Sequence, residues 1–234
     1  MKGSYNYRIN SRIFKMNLKK PKKIGILGGA FNPPHLGHLI LAKRALKAVR
    51  LQKIIFMPCG IPPLRKSNLA ETKDRLAMVK ILIKDNPLFK ISDYEIKKGE
   101  KGKKSYTYET IKYLKKKYPD YQIYWILGED SFREMIEGKW KYDGLKMLAE
   151  AHFLVADRKK HPFNLKTLPK KFKEKSKKFL KKVIRLNLNV PVSATQIRKE
   201  IKKGKKRNKF LPPEIFAYIK EKRLYIDLGK RKRV

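Results

Sequence analysis

Four short stretches of this chain are apolar through their middles, with no polar alternation. They are Lys22–Gly29 (KKIGILGG), Lys53–Pro58 (KIIFMP), Tyr121–Gly128 (YQIYWILG) and His152–Arg158 (HFLVADR). A strand with one wet face alternates polar and apolar residues; a strand covered on both faces does not. Between these stretches lie segments with helical spacing. Leu36–Val49 carries Leu36, Leu39, Ile40, Leu46 and Val49, with Lys43, Arg44, Lys47 and Arg50 between them. The spacing predicts further helices over Thr72–Ile83, capped by Thr72, over Tyr108–Tyr118, ended by Pro119, and over Leu145–Glu150, with a short strand at Phe89–Ser92. Strands and helices in regular alternation imply an α/β fold: an open parallel sheet with helices on both faces.

The last part of the chain reads differently. Residues 169–185 form a very basic stretch of helical spacing, with Phe172, Phe179, Leu180 and Val183 on one side. Two short helices are predicted after it, Thr195–Lys203 and Pro213–Lys222. The organisation expected is a basic N-terminal tail (1–21), a main α/β domain (22–190), a small C-terminal helical subdomain (191–226) and a basic tail (227–234).

With 234 residues, 41% of them hydrophobic, the chain can bury a core, so wholesale disorder is excluded. Its formal net charge of +41 attracts polyanions but carries no information about fold. The basic stretches at Lys170–Lys182 and Lys202–Lys209 lack an aromatic ladder or a recognised nucleic-acid module. They are read as solvated helix faces, and no specific nucleic-acid partner is expected; a membrane-surface helix over Phe172–Ile184 is the weaker alternative. A single cysteine, Cys59, excludes an internal disulfide and a Cys-rich zinc site. No apolar run approaches the ~20 residues of a membrane span, and the basic N-terminus lacks the apolar stretch of a secretory signal. No membrane association is expected, and a cytoplasmic protein is. Nothing in the sequence sets an oligomeric state.

The strongest local signal is GGAFNPPHLGHL, Gly28–Leu39, where the first strand gives way to the first helix. Ligands of open α/β sheets bind outside the carboxyl ends of strands, and helix N-termini attract phosphate. Gly28 and Gly29 let backbone N–H groups approach a ligand closely. His35 and His38, three apart at a helix start, can face one site. No GK[ST] follows, so this is not a Walker loop, nor is it GxGxxG. A zinc pair would need a third ligand, and HExxH spaces its histidines four apart. Plain packing would spend two of only four histidines within one turn beside the glycines. Phosphate binding is the reading adopted.

The segment resembles the nucleotidylyltransferase signature in which a (T/H)xGH tetrad follows GGxFxPxH, and the fuller match is to the bacterial nicotinate-nucleotide adenylyltransferase family. Further segments match in order, from about Lys22 to Tyr225. IPPLR (Ile61–Arg65) is similar to the PPHK/PPHR loop, with Leu64 in place of its His. SYTYET (Ser105–Thr110) resembles the SYT segment that contacts the nicotinate carboxylate, and ILGEDSF (Ile126–Phe132) the G-x-D strand end. Trp140 matches a tryptophan that stacks on the pyridine, while Lys141 departs from the usual His or Tyr. VSATQIR (Val192–Arg198) resembles ISSTxIR, with Ala194 in place of the second Ser. LPPEIFAYIKEKRLY (Leu211–Tyr225) resembles the closing helix.

The resemblance implies a Rossmann-like fold and the transfer of an adenylyl group from ATP to nicotinate mononucleotide, with Mg²⁺ carried by the ATP phosphates and no direct protein metal ligand. It implies catalytic roles for His35, His38 and Arg198. ATP would be bound by Gly28, Gly29, Ala30, Phe31, His35, His38, Gly128, Asp130, Ser193, Thr195 and Arg198. Nicotinate mononucleotide would be bound by Asn32, Arg65, Lys66, Thr107, Trp140 and Lys141. Asp130 has a second reading as a helix N-cap. Trp125, inside the central strand, is read as core.

Overall fold

A computed structural model of the chain describes residues 21–63, 68–156, 179–188 and 192–226. Six parallel strands form one sheet: β1 (Lys22–Gly29), β2 (Lys53–Pro58), β3 (Phe89–Ile91), β4 (Tyr121–Gly128), β5 (His152–Ala156) and β6 (Val183–Leu186). Their order is β3-β2-β1-β4-β5-β6, the strand order of the doubly wound, Rossmann-like fold. The helices described are α1 (Leu36–Ala48), α2 (Thr72–Ile83), α3 (Tyr94–Glu100), α4 (Thr107–Lys117), α5 (Glu129–Ile136), α6 (Gly144–Glu150), α7 (Ala194–Lys202) and α8 (Pro213–Glu221).

The apolar strands are explained by the two layers that cover them. Ile54 and Phe56 of β2, Tyr124 and Ile126 of β4 and Leu154 of β5 face one side. There they pack with Leu41 and Ala45 of α1, Met78 and Leu82 of α2, Ile197 of α7 and Ile215 of α8. Ile55 and Met57, Ile123 and Trp125, and Phe153 and Val155 face the other, against Ile111 and Leu114 of α4, Phe132 and Met135 of α5 and Met147 and Leu148 of α6. At roughly 25 cal/mol per Å² of apolar surface, neither face could be left wet without large cost. The C-terminal segment expected as a subdomain thus contributes Ile197 and Ile201 of α7, Leu211 before α8, and Ile215 and Ile219 of α8 to the same core as α1 and α2.

Several local expectations are corrected. The N-cap of α2 is Glu71 rather than Thr72, and no side chain caps it. Two helices were not anticipated, α3 and α5. Val183 and Ile184, expected on a helix, instead form β6, hydrogen-bonded in register to Phe153 and Leu154 of β5. An extended edge strand satisfies their backbone on β5, which outweighs the helical spacing of the lysines before them. Residues 157–178, which include the first ten of the basic stretch, lie outside the described residues, as do both tails. No helix among the described residues is long and apolar enough to cross a membrane.

Candidate active site

Strand order reverses between β1 and β4, and both strands run out into the crevice where such sheets bind ligands. Leu27 of β1 is level with Ile126 of β4, so Gly28–Gly29 and Gly128 leave the sheet side by side. A Cβ on Gly28 would lie 2.9 Å from the Trp125 indole. Trp125 is only 4% exposed, as expected for core, but it also lines the cavity beyond the glycines.

The turn after β1 is tightly packed. Phe31 is buried at a left-handed φ of 48°, its ring 4.9 Å from that of His38. His35 is the N-cap of α1 and His38 stands three residues on. Their rings stack at 3.8 Å and 29°, so the pair expected to share one site does share it. The residue between them must be small: a Cβ on Gly37 would sit 2.3 Å from Val192 Cγ1 and 3.0 Å from the His35 ring. The His35 backbone N–H donates to His38 Nδ1 at 3.2 Å. A ring nitrogen that accepts has no proton, so in neutral His38 the proton is on Nε2. Burial, and then the nearness of His35, hold His38 well below the ordinary imidazole pKa. It is therefore a neutral donor through Nε2 at physiological pH.

Arg198, on α7, reaches this turn from 166 residues away. Its Nη1 donates to the Asn32 carbonyl at 2.7 Å and its Nη2 to Thr195 Oγ1 at 3.2 Å. Ser193 is the N-cap of α7 and makes no side-chain cap bond. Asn32, expected as a mononucleotide ligand, has its side chain engaged within the protein. Oδ1 accepts from the Ala70 N–H at 2.9 Å and the Tyr225 hydroxyl at 2.8 Å, and Nδ2 donates to the Asn68 carbonyl at 2.9 Å. This side chain acts as a strut beneath the turn. Asp130 is exposed in the first turn of α5, whose N-cap is Gly128, so the N-cap reading of Asp130 is corrected.

One cavity of about 480 Å³ unites residues from both expected sets. Gly28, Gly29 and Ala30 line it together with Thr107, Trp140 and Lys141. Its other walls include four aromatic side chains, Tyr106, Tyr108, Trp125 and Tyr142, set among Pro62, Pro63, Glu95, Ser105 and Lys139. Trp140 is half-buried and donates Nε1 to Glu134 at 3.4 Å. Lys141 Nζ stands 4.4 Å from the centre of the Tyr106 ring. Thr107 opens α4, whose N-cap, Tyr106, supplies no side-chain hydrogen bond. The first N–H groups of α4 thus meet this cavity without a cap, an arrangement that favours an anion. Thr195 and Arg198 line a second, larger cavity of about 1060 Å³ with Asn68, Tyr218 and Tyr225. Arg65 and Lys66 lie outside the described residues.

Three residues that the sequence did not single out organise the site. Arg75, 2% exposed, donates to the carbonyls of Ala30 (2.8 Å), Ala70 (3.1 Å) and Gly60 (3.3 Å) and so ties the turn after β1 to the exit of β2. The signal was present: Arg75 shares the buried face of α2 with Met78, Val79 and Leu82. Tyr225 bonds Asn32 across 193 residues, and Glu95 lines the 480 Å³ cavity. Glu95 has no signature in its own segment, and Tyr225 stands only as the last residue of the matched closing segment.

The cytidylyltransferase-like family model matches residues 26–200. A protein of Clostridium tetani, named a probable nicotinate-nucleotide adenylyltransferase, is 40% identical over 206 residues, covering 87% of this chain and 99% of its own length. A protein of the same name from Caldicellulosiruptor bescii is 36% identical over 204 residues, covering 87% of this chain and 98% of its own. Among solved structures, the Plasmodium falciparum nicotinic acid mononucleotide adenylyltransferase complexed with NaAD matches with a TM-score of 0.68 at 22% identity, over 87% of this chain and 97% of that one. That last likeness is one of fold.

Proposed function

The chain belongs to the cytidylyltransferase-like family and, within it, to the nicotinate-nucleotide adenylyltransferases, and from that premise we propose that it joins ATP and nicotinate mononucleotide into nicotinate adenine dinucleotide, with release of pyrophosphate. The observation that carries the reading is the single cavity running from Gly28–Ala30 to Trp140. Its aromatic walls suit a cationic pyridinium, and the bare N-terminus of α4 beside Thr107 and Lys141 suits the ring's carboxylate.

In the reaction, an oxygen of the mononucleotide phosphate attacks the α-phosphorus of ATP. A new P–O bond forms, the bond from that phosphorus to the bridging oxygen breaks, and pyrophosphate departs with the electron pair. The nucleophile is already ionised near pH 7, since the second pKa of a phosphate monoester is ~6. The chain supplies alignment and charge stabilisation rather than a general base. Gly28, Gly29, Ala30 and Phe31 present the turn's backbone to the nucleotide, with Gly128, Asp130 and Ser193 at the neighbouring element ends. His38 donates Nε2–H to the α-phosphoryl oxygens as their charge grows, with His35 beside it. Arg198, steadied by Thr195, faces the β- and γ-phosphates. Glycine N–H groups, imidazoles and a guanidinium suit phosphate oxygens, whereas a hard divalent cation takes oxygen ligands. Magnesium accordingly comes with ATP, on its phosphates, where it neutralises charge. The setting proposed for this chemistry is the cytoplasm.

A substrate panel scored by pyrophosphate release tests the reading. Wild-type protein with ATP should turn over nicotinate mononucleotide at a higher kcat/KM than the nicotinamide form, and should prefer ATP to other nucleoside triphosphates. An equal or reversed preference between the two mononucleotides would overturn the acid-specific reading.

A further inference from the structure

Glu95 carries no part of that chemistry, yet it is 5% exposed and lines the cavity beside Ser105, Thr107 and Trp140. A buried carboxylate needs donors. Two hydroxyls provide them. Thr110, fully buried on α4, donates Oγ1–H to Glu95 Oε1 at 2.7 Å. Ser105 Oγ accepts the Gly60 N–H at 3.1 Å, which leaves its own proton free to turn toward Glu95, whose charged form the hydroxyl favours. Burial pushes the carboxyl up, and the two hydroxyl bonds oppose that push.

One side chain therefore connects three segments at the cavity wall. The exit of β2 is reached through Ser105 and Gly60, the turn into α4 through Ser105 itself, and the body of α4 through Thr110. The first helical bond of α4 runs from the Thr110 N–H to the Tyr106 carbonyl at 3.1 Å. The N–H groups ahead of it have no such bond along the helix and no side-chain cap. They can serve a ligand only if the helix end is held at a fixed angle to the cavity. The groups that hold it are Thr110, from within, and Ser105, from the residue before the cap.

We propose that Glu95 is a positioning residue for the pyridine mononucleotide: through Ser105 and Thr110 it fixes the N-terminus of α4 where the ring's carboxylate binds, and so sets mononucleotide affinity and the preference for acid over amide. This rests on the reading of the cavity given above. Glu95 acts through its two hydroxyl partners and not on the reacting phosphates.

The test uses the full chain with Glu95→Gln, Thr110→Val and Thr110→Ser. Gln keeps the shape and can accept from Thr110, but its NH2 cannot accept the Ser105 proton. Val keeps the shape of Thr and removes the donor; Ser restores it. Glu95→Gln and Thr110→Val should each raise KM for nicotinate mononucleotide about tenfold and lower the acid-to-amide ratio of kcat/KM by a similar factor. KM for ATP and kcat should stay within about twofold, and Thr110→Ser should behave as wild type. A merely structural role would lower the melting temperature without this split between substrates. If Glu95→Gln fails to fold, by circular dichroism, the Thr110 pair decides the matter. An unchanged mononucleotide KM and ratio in folded variants, or an equal rise in KM for both substrates, overturns the inference. Wild-type protein that releases no pyrophosphate from ATP and nicotinate mononucleotide overturns the functional reading itself, and this inference with it.

Discussion

His38 separates two jobs that imidazole does with two atoms, and substitutions can remove them one at a time. Nδ1 accepts the His35 backbone N–H at 3.2 Å and so belongs to the start of α1. Nε2–H is the donor assigned to the α-phosphoryl group. The amide oxygen of Asn can fall near the position of Nδ1, and the amide nitrogen of Gln near that of Nε2. His38→Asn should therefore keep the helix start and lose the donor, while His38→Gln should do the reverse. His38→Ala loses both. Removing one donor to a developing oxyanion costs about 10²–10³ in kcat, or about 3–4 kcal/mol. The hydrogen bond at the helix start is neutral and half-buried, worth about 0.5–1.5 kcal/mol of stability. The expected order in kcat is wild type, then Gln, with Asn and Ala together at the bottom. The expected order in urea midpoint places Asn above Gln and Ala. KM for ATP should move much less than kcat, because ground-state binding is shared with the glycine turn and Arg198. Steady-state rates at saturating mononucleotide, with urea titrations of each variant, measure both orders. A folded His38→Asn protein with near-wild-type kcat would refute the transition-state role of Nε2.

Arg198→Ala should raise KM for ATP tenfold or more and also lower kcat, and Arg198→Lys should not restore it, because one ammonium cannot serve both Asn32 and Thr195 and still face phosphate; initial-rate kinetics over an ATP series checks this. Stability should be complete above about pH 6.5 and fall as the pH drops below it, because His38 and His152, both depressed chiefly by burial, take up protons more readily in the unfolded chain. Denaturant midpoints between pH 8 and 5.5 test this; His38→Asn should flatten part of the slope, and a constant midpoint would contradict it. Tyr225→Phe removes the 2.8 Å bond to Asn32 Oδ1 and should cost about 0.5–1.5 kcal/mol by urea denaturation; no loss would mean that the Ala70 N–H alone satisfies that oxygen.

What the sequence made legible follows from how local each signal is. β2 and β4 were found at their observed ends because a short apolar run rich in Ile and aromatic residues and stopped by Gly or Pro fits a doubly covered strand better than a helix. The first turn was legible for the same reason: glycines, prolines and two histidines within twelve residues have few other uses. α5 was missed because it begins at Glu129, directly after Gly128, with no linker to separate it from β4; the segment through Phe132 was matched as a strand end, and the buried Met135 and Ile136 lie beyond it. α3 was missed because it is seven residues long and buries only Glu95 and Ile96. An apolar-pattern reading has nothing to hold there.

The same distinction divides the site. Residues whose proposed work is done by their own backbone or ring, such as Gly28, His38 and Trp140, announce themselves by type and spacing. Residues that work by fastening one segment to another do not, because most of their partners lie 15 to 193 positions away. Asn32 does both kinds of work. In sequence it stands inside the strongest motif, where the resemblance makes it a ligand contact, and in the fold its amide also holds Asn68, Ala70 and Tyr225, while its carbonyl holds Arg198. Arg198 is thereby held at the turn by the Asn32 backbone carbonyl, so under the proposed function the triphosphate clamp stands there before ATP arrives. Preorganisation of that kind would lower the ordering cost at the transition state, with Asn32, Arg75 and Tyr225 supplying it from three separate segments.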